Sequence, residues 1–312
     1  MNECGMGIES LKLFLADNPI YEVYDYSQLD AFGLCNRKYS YRYVHYVDDP
    51  VGAGATYSSK VLHPLVGDFY SNPRNPPQID QYWLNFAATN LVFTGSDQLI
   101  YTKQATIDMC NVLYVERNGD AELYNYVNHE QVYWKVLPDV PNAVWLAKPD
   151  VMLERRTDGK KVSVEVKQSK YTYNRNLLAF DQQVLSQAYV TNAKLQLKLF
   201  FQYDLNRAPR VSGTGRANAL FTDSSHWVTI RLTASQSIPD AELLQEWLAE
   251  TQVTVERIQR AKATNIWPKK APTACHAYNK PCAMSDLCAV GSAREFALKH
   301  AEKVNPLEYL GL

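Results

Sequence analysis

The chain has 312 residues, enough to bury a substantial core in one large domain or two modest ones. Its 46% hydrophobic and 21% charged content is that of a soluble globular protein and excludes a low-complexity chain. A net charge of −1 excludes a wholly basic surface, so any DNA contact must come from local patches.

No apolar run reaches the length of a membrane span, so no membrane partner is expected. The stretch Leu11–Ala16 is too short for a signal peptide and has no cationic lead-in. The expected compartment is therefore cytoplasmic and reducing, where cysteines more often bind metal or stay free than pair.

In chain order, Tyr26-Ser27-Gln28-Leu29-Asp30 reads as a helix start with Ser27 as cap, running through Phe32 and Cys35 towards Tyr39 and Tyr43. A loop at 51–55 leads to a second helix from Ser58 to Tyr70. There Val61, Leu62, Leu65, Val66 and Phe69 stand at helical spacing and His63 is carried along. The proline-rich stretch 71–77 stops it. Residues from about 80 to 130 read as a further helical insertion.

Strand character begins at Gln131. Residues 143–154 form one extended stretch, the pair Asp158-Gly159 a turn, and Lys161–Lys167 a second strand. A helix over 176–191 follows, then strands at Leu195–Tyr203 and His226–Leu232. Asp240 opens a long amphipathic helix to about Thr264.

The hairpin carries the chemistry. Val162, Val164 and Val166 share one face, while Ser163, Glu165 and Lys167 share the other, which is expected to be solvated. A two-residue turn would set Asp150 opposite Lys167 and Met152 opposite Glu165. Asp150 and Glu165 are then diagonal neighbours at roughly 7–8 Å. Two such carboxylates can bind one hard divalent ion, Mg²⁺ or Mn²⁺, and Lys167 can orient a bound water or offset charge. By spacing alone, a solvent-facing hairpin with ordinary surface charges is the commoner arrangement. Likewise a lone helical histidine such as His63 is more often packed or exposed than ligating. Gln183 and Gln187 share a helix face, which is equally that of a solvated helix.

Arg155, Arg156, Lys170 and Arg175 flank the hairpin, with Tyr171 and Tyr173 interleaved, a weak pattern for holding phosphates and stacking bases of single-stranded DNA. Cys35 with Cys275, Cys282 and Cys288 offers four thiolates. The late gaps, six and five residues, do not match common zinc fingers. Buried free thiols, zinc and a four-thiolate [4Fe–4S] cluster are the candidate readings. Cys4 and Cys110 read as free.

Taken together, Asp150 and Glu165-Val166-Lys167 resemble the core of the PD-(D/E)XK nuclease superfamily. The stretch from Tyr26 through Cys35 to Tyr41 is similar to the opening helix of its RecB-type, Cas4 and AddB branch, which includes similar phage exonucleases. The helix of His63 resembles that branch's metal-binding helix, Gln183 its glutamine motif, and Cys275, Cys282 and Cys288 its trailing cysteine segment. The chain departs from the pattern in having Gln187 where a tyrosine is frequent, and in its wider late-cysteine spacing.

The resemblance implies a mixed central sheet flanked by helices, in a bacterial or phage-infected cell. It divides the chain into an N-terminal helical segment (1–50), a nuclease core (51–265) and a C-terminal three-cysteine segment (266–312) packed on the N-terminal helix. It also implies metal-dependent DNA hydrolysis. His63, Asp150 and Glu165 would bind the metal, Lys167 and Gln183 would assist, and a [4Fe–4S] cluster would sit on the four cysteines, with zinc as the alternative. Single-stranded DNA is the favoured partner. No helicase motif is visible, so a helicase or recombination protein would do any unwinding. A catalytically silent iron–sulfur DNA-binding subunit is the rival reading.

Overall fold

The computed structural model of the chain describes residues 4–48, 53–75, 77–89, 101–169, 175–205 and 228–268. In the C-terminal segment it describes 275, 282, 284–290, 294–301, 303–305 and 307. The architecture is mixed α/β, with two sheets flanked by helices.

The N-terminal part contributes β1 (Cys4–Met6), α1 (Ile8–Asp17), β2 (Glu22–Tyr24), α2 (Tyr26–Leu34) and α3 (Asn36–Tyr39), then a π-helical turn at Ser40–Val44. The expected all-helical segment over 1–50 is thereby corrected. Two of its pieces are strands, too short to show an alternating pattern and paired only with residues near 133–147. The expected helix from Ser27 to Tyr43 also breaks at Cys35, whose extended backbone (φ −162°, ψ 114°) ends α2 and opens α3. Asp25 rather than Ser27 caps α2, accepting the Gln28 N–H at 2.8 Å.

Next, α4 (Ala53–Tyr57), a π-helical turn (Ser58–Leu62) and α5 (His63–Ser71) run end to end. Pro64 explains the widened turn. It has no N–H, and its ring would collide with the Lys60 carbonyl four residues back, so the His63 N–H bonds the Ser58 carbonyl instead. Then come α6 (Ile79–Ala87), α7 (Lys103–Arg117) and α8 (Asp120–Leu123), but the expected helical insertion ends early, because β3 (Tyr124–His129) begins inside it. The register of β3 with the strand Val151–Arg155 shifts at a bulge between Tyr126 and Asn128.

The remaining elements are β4 (Tyr133–Val136), β5 (Ala143–Ala147), β6 (Val151–Arg155), β7 (Lys161–Ser169), a 3₁₀ turn (Arg175–Phe180), α9 (Gln182–Thr191), β8 (Leu195–Leu205), β9 (Val228–Ser237) and α10 (Ala241–Thr264). Short helices α11 (Ser285–Ala289) and α12 (Arg294–His300) lie in the C-terminal segment. The helix expected over 176–191 divides at Asp181, which caps α9 through the Gln183 and Val184 N–H groups.

The small sheet has the order β1-β4-β5-β2 and the large one β3-β6-β7-β8-β9. The single stretch expected over 143–154 therefore serves two sheets, with the chain crossing between them at Lys148-Pro149-Asp150. Proline has no ladder donor, which favours a break there.

The hairpin register differs from the expected one. Glu154 pairs with Lys161, the Arg155 N–H bonds the Lys160 carbonyl, and Gly159 takes φ +67°, so the turn is longer than two residues. Met152 faces Ser163 and Val151 faces Val164. A slip of two residues leaves every side chain on its face. It moves Asp150 from diagonal to directly across from Glu165.

The valine face packs into a core with Leu65, Val66 and Phe69 of α5 and with Met109 and Leu113 of α7. The opposite face is not solvated as expected, because α9 covers it. Ser163 is 0% and Glu165 2% exposed. The C-terminal segment packs against the N-terminal one. Met284, Leu287 and Cys288 cluster with Tyr41 and Val47, and the Val304 N–H bonds the Tyr46 carbonyl at 2.8 Å.

Candidate metal centre

Asp150 stands at the end of the crossing between the sheets. Its Oδ2 accepts the Val166 N–H at 2.6 Å, and its Oδ1 lies 3.1 Å from His63 Nδ1. The same imidazole nitrogen is 3.5 Å from Glu130 Oε1. His63, Glu130 and Asp150 thus each present a ligand atom, all within 4.8 Å of one another.

Three local features bring them together. The π-helical turn sets the phase of α5 at His63. Gly67, one turn further on, lets α5 lie close to β3, since a Cβ there would come within 2.8 Å of the His129 ring. Glu130, directly after His129, holds a left-handed backbone (φ +49°), and its N–H bonds the Asp150 carbonyl at 3.1 Å. A non-glycine residue in that region is strained, and such strain clusters at functional sites.

Glu165 occupies a neighbouring position. Its carboxylate pairs with Lys167 Nζ and accepts a hydrogen bond from the Gln187 amide, whose own carbonyl accepts the Ser163 hydroxyl at 2.7 Å. The side chain that joins His63 and Asp150 in one tight group is Glu130, where Glu165 was expected. The glutamine that touches Glu165 is Gln187, while Gln183 lies on the wall of the cavity. That cavity, about 270 Å³, is also lined by His63, Glu130, Asp150 and Gln187. α9 is tied to the sheet beneath by an ion pair between Asp181 and the buried Lys198, which stands across from Glu165 in the register of β7 and β8.

The charges of the site follow from its burial and its crowding. Burial first, then the Glu165 charge, pushes Asp150 up to about 7. Burial alone would lower His63, but Asp150, Glu130 and Glu165 outweigh it and the imidazole is raised. Lys167 is likewise raised, its burial outweighed by Glu165 and Asp150. Glu130 is lowered, because His63 and Lys148 outweigh its burial. Three carboxylates (Glu130, Asp150, Glu165) thus crowd together with His63, Lys148 and Lys167, and a divalent cation is a group that would relieve the crowding of the acids. The oxygens suit Mg²⁺, and the imidazole extends the fit to Mn²⁺.

Other expected residues fall elsewhere. Arg155 pairs with Asp158, and Arg156 donates to the Tyr124 carbonyl at 3.2 Å. Both lie at the turn end of the hairpin, the length of β6 away from Asp150, so the structure does not bring them to the site. Lys170, Tyr171 and Tyr173 lie outside the described residues, as does the side chain of Arg175.

The late cysteines do approach one another. The Cys282 N–H bonds the Cys275 carbonyl at 2.7 Å, and Cys288 Sγ lies 3.8 Å from the Tyr41 hydroxyl. Burial first, then Cys275 and Cys288, raises the Cys282 thiol, while Lys38, three residues from Cys35, opposes the rise. Among the described residues the thiols do not form a ligand group as tight as His63, Glu130 and Asp150. Cys110 is buried, which pushes its thiol up to about 11, and Cys4 is exposed.

No family model matches the chain, and none of the curated proteins does. Among solved structures, it is similar to a "Putative exonuclease" from Eubacterium rectale, at 14% identity over 88% of this chain and 95% of that one, with a TM-score of 0.45. It is also similar to SSO0001, at 12% identity over 90% of this chain and 96% of that one, with a TM-score of 0.30. Neither likeness is strong enough to bear on the chemistry.

Proposed function

We propose that the protein is a divalent-metal-dependent DNA nuclease of the PD-(D/E)XK type. It would act as an exonuclease on single-stranded DNA or DNA ends, in recombination, repair or phage DNA processing. The observation that carries this reading is the meeting of His63, Glu130 and Asp150 in one cavity beside the Glu165–Lys167 pair.

His63, Glu130 and Asp150 would hold Mg²⁺ or Mn²⁺, which when bound polarises a phosphoryl oxygen and acidifies a water. The protein's own groups do the rest. Gln187 fixes the Glu165 carboxylate, and Glu165 in turn fixes Lys167 Nζ at the cavity. The Lys167 ammonium then meets negative charge building on the phosphate oxygens, a role worth most where water is excluded. Gln183, on the cavity wall, orients the phosphate. At the other end of α2, Cys35, Cys275, Cys282 and Cys288 would carry a [4Fe–4S] cluster that clasps the C-terminal segment to α3. The supports are the mutual influence of the late thiols and the packing of Cys288 on Tyr41.

The test is Mn²⁺-dependent digestion of end-labelled single- and double-stranded DNA. The expected result is stepwise shortening from an end, abolished in Glu165→Ala and Lys167→Ala proteins whose circular dichroism is unchanged. Normal cleavage by either variant would sink the reading.

A further inference from the structure

Three cavities lie end to end along α2. The first holds the metal group and is bordered by Tyr26. Tyr26 also lines the second, of about 220 Å³, which runs between α2 and α10 to Gly33 and Thr254. Those two residues in turn line the third, of about 520 Å³, which ends at Arg257, Arg260 and Asn36, the last beside Cys35. The shared residues make one trough. Its length is that of α2, about 14 Å at ~1.5 Å per residue. A fully stacked strand covers that length with about four nucleotides at ~3.4 Å each, and an extended one with fewer.

The lining is graded. In the middle the half-buried Tyr26 and Leu29 line the trough, with Trp145 and Trp247 buried beneath them, while Asp30 and Glu250 are exposed along it. Carboxylates there repel phosphates and leave the trough to flat, uncharged groups. At the far end Arg257 and Arg260 are exposed on one side of α10. Neither guanidinium has a hydrogen-bond or ion-pair partner among the described residues. The opposite end is the metal group, which attracts phosphate once a cation is bound. Anion sites at both ends with the Tyr26 ring between them match a flexible polyanion carrying flat bases.

We infer that this trough binds a single strand of DNA, a base stacked on Tyr26, with Arg257 and Arg260 gripping the backbone a few nucleotides from the metal group. This rests on the nuclease reading, and it adds the strand's path and its anchoring residues. A duplex does not fit, since its paired bases could not reach Tyr26.

The test uses the full chain with Ca²⁺ in place of Mn²⁺ and a short fluorescein-labelled oligothymidylate, read by anisotropy over a salt series. The Arg257→Ala/Arg260→Ala protein is expected to bind about tenfold or more weakly, with a log–log salt slope smaller by about 1.4, the value for two lost single-strand contacts. Gly33→Trp offers an independent block. A Cβ at Gly33 meets nothing within 4 Å, so the indole can enter the trough without displacing backbone. It too is expected to weaken binding about tenfold, with an unchanged melting temperature, whereas Lys12→Ala on α1 changes nothing. Binding by both trough variants within about twofold of the parent overturns the inference, as does a parent that fails to bind. The nuclease reading fails separately. It falls if the parent does not hydrolyse bis(p-nitrophenyl) phosphate with Mn²⁺ above the Lys167→Ala background, whatever the binding shows.

Discussion

Glu130 combines two costs that the proposed ligand role would offset. It places a charged side chain against His63 and Lys148 in a half-buried cavity, and it does so from a left-handed backbone. The two costs can be separated by substitution. Glu130→Gly and Glu130→Ala should both weaken Mn²⁺ binding by about tenfold or more in a calorimetric titration. Glu130→Gly should nevertheless be more stable to denaturant than Glu130→Ala by roughly 1 kcal/mol, because glycine carries no penalty at positive φ. Gln187 is read the same way. Removing its amide leaves the buried Glu165 with one partner fewer, so Gln187→Ala should cost about 2 kcal/mol in denaturant unfolding. DNA cleavage should fall with it, because the Lys167 ammonium loses its fixed carboxylate.

At the level of elements, the site depends on how closely α5 and α9 approach the sheet. A Cβ at Gly67 would meet the His129 ring at 2.8 Å, so Gly67→Ala displaces either that exposed ring or α5 itself. Overpacking of this kind costs roughly 1–3 kcal/mol, against about 1 kcal/mol gained from helix propensity. With α5 displaced, the expected outcome is a small net loss of stability and a larger loss of Mn²⁺ affinity, because His63 moves away from Glu130 and Asp150. Equal stability with unchanged metal affinity would show that the ring alone moves. On the other side, the Lys198–Asp181 pair anchors the start of α9. Lys198→Ala leaves Asp181 uncompensated and should lower unfolding free energy by roughly 3 kcal/mol. Lys198→Met, which keeps the stem's packing, should lose less.

In the whole molecule, the described C-terminal segment is tied to the stretch from Tyr41 to Val47. Tyr41, Val47 and Met284 form a small core of their own, and Lys303 Nζ bonds the His45 carbonyl at 2.7 Å. A cluster on the four cysteines would strengthen this junction without touching the metal group. Cys288→Ser should therefore remove the brown colour and visible absorption of anaerobically purified protein and lower its melting temperature. Zinc content with no visible absorption in the parent would replace the cluster with the alternative metal.

Much of this was legible in the sequence where the signal is local. Asp240 caps α10, β8 shows alternation, and the hairpin keeps its faces because a two-residue slip preserves them. Asp150, Glu165, Lys167 and His63 could be named as candidates because their motifs resemble a known family, where spacing alone favoured ordinary surface residues. Glu130 could not, since it sits after a bulged strand with no spacing that ties it to Asp150. Gln187 looked like half of a solvated helix face because nothing in the chain says that α9 lies on Glu165. The sequence by itself determined the element types, the valine core and the residues able to do acid and metal chemistry, all properties of short stretches. The tertiary structure alone decided which carboxylate joins His63, which glutamine holds Glu165, and where Arg257 stands relative to both. Those depend on register, on a bulge and on how closely two helices approach a sheet, and each is set by contacts between residues far apart in the chain.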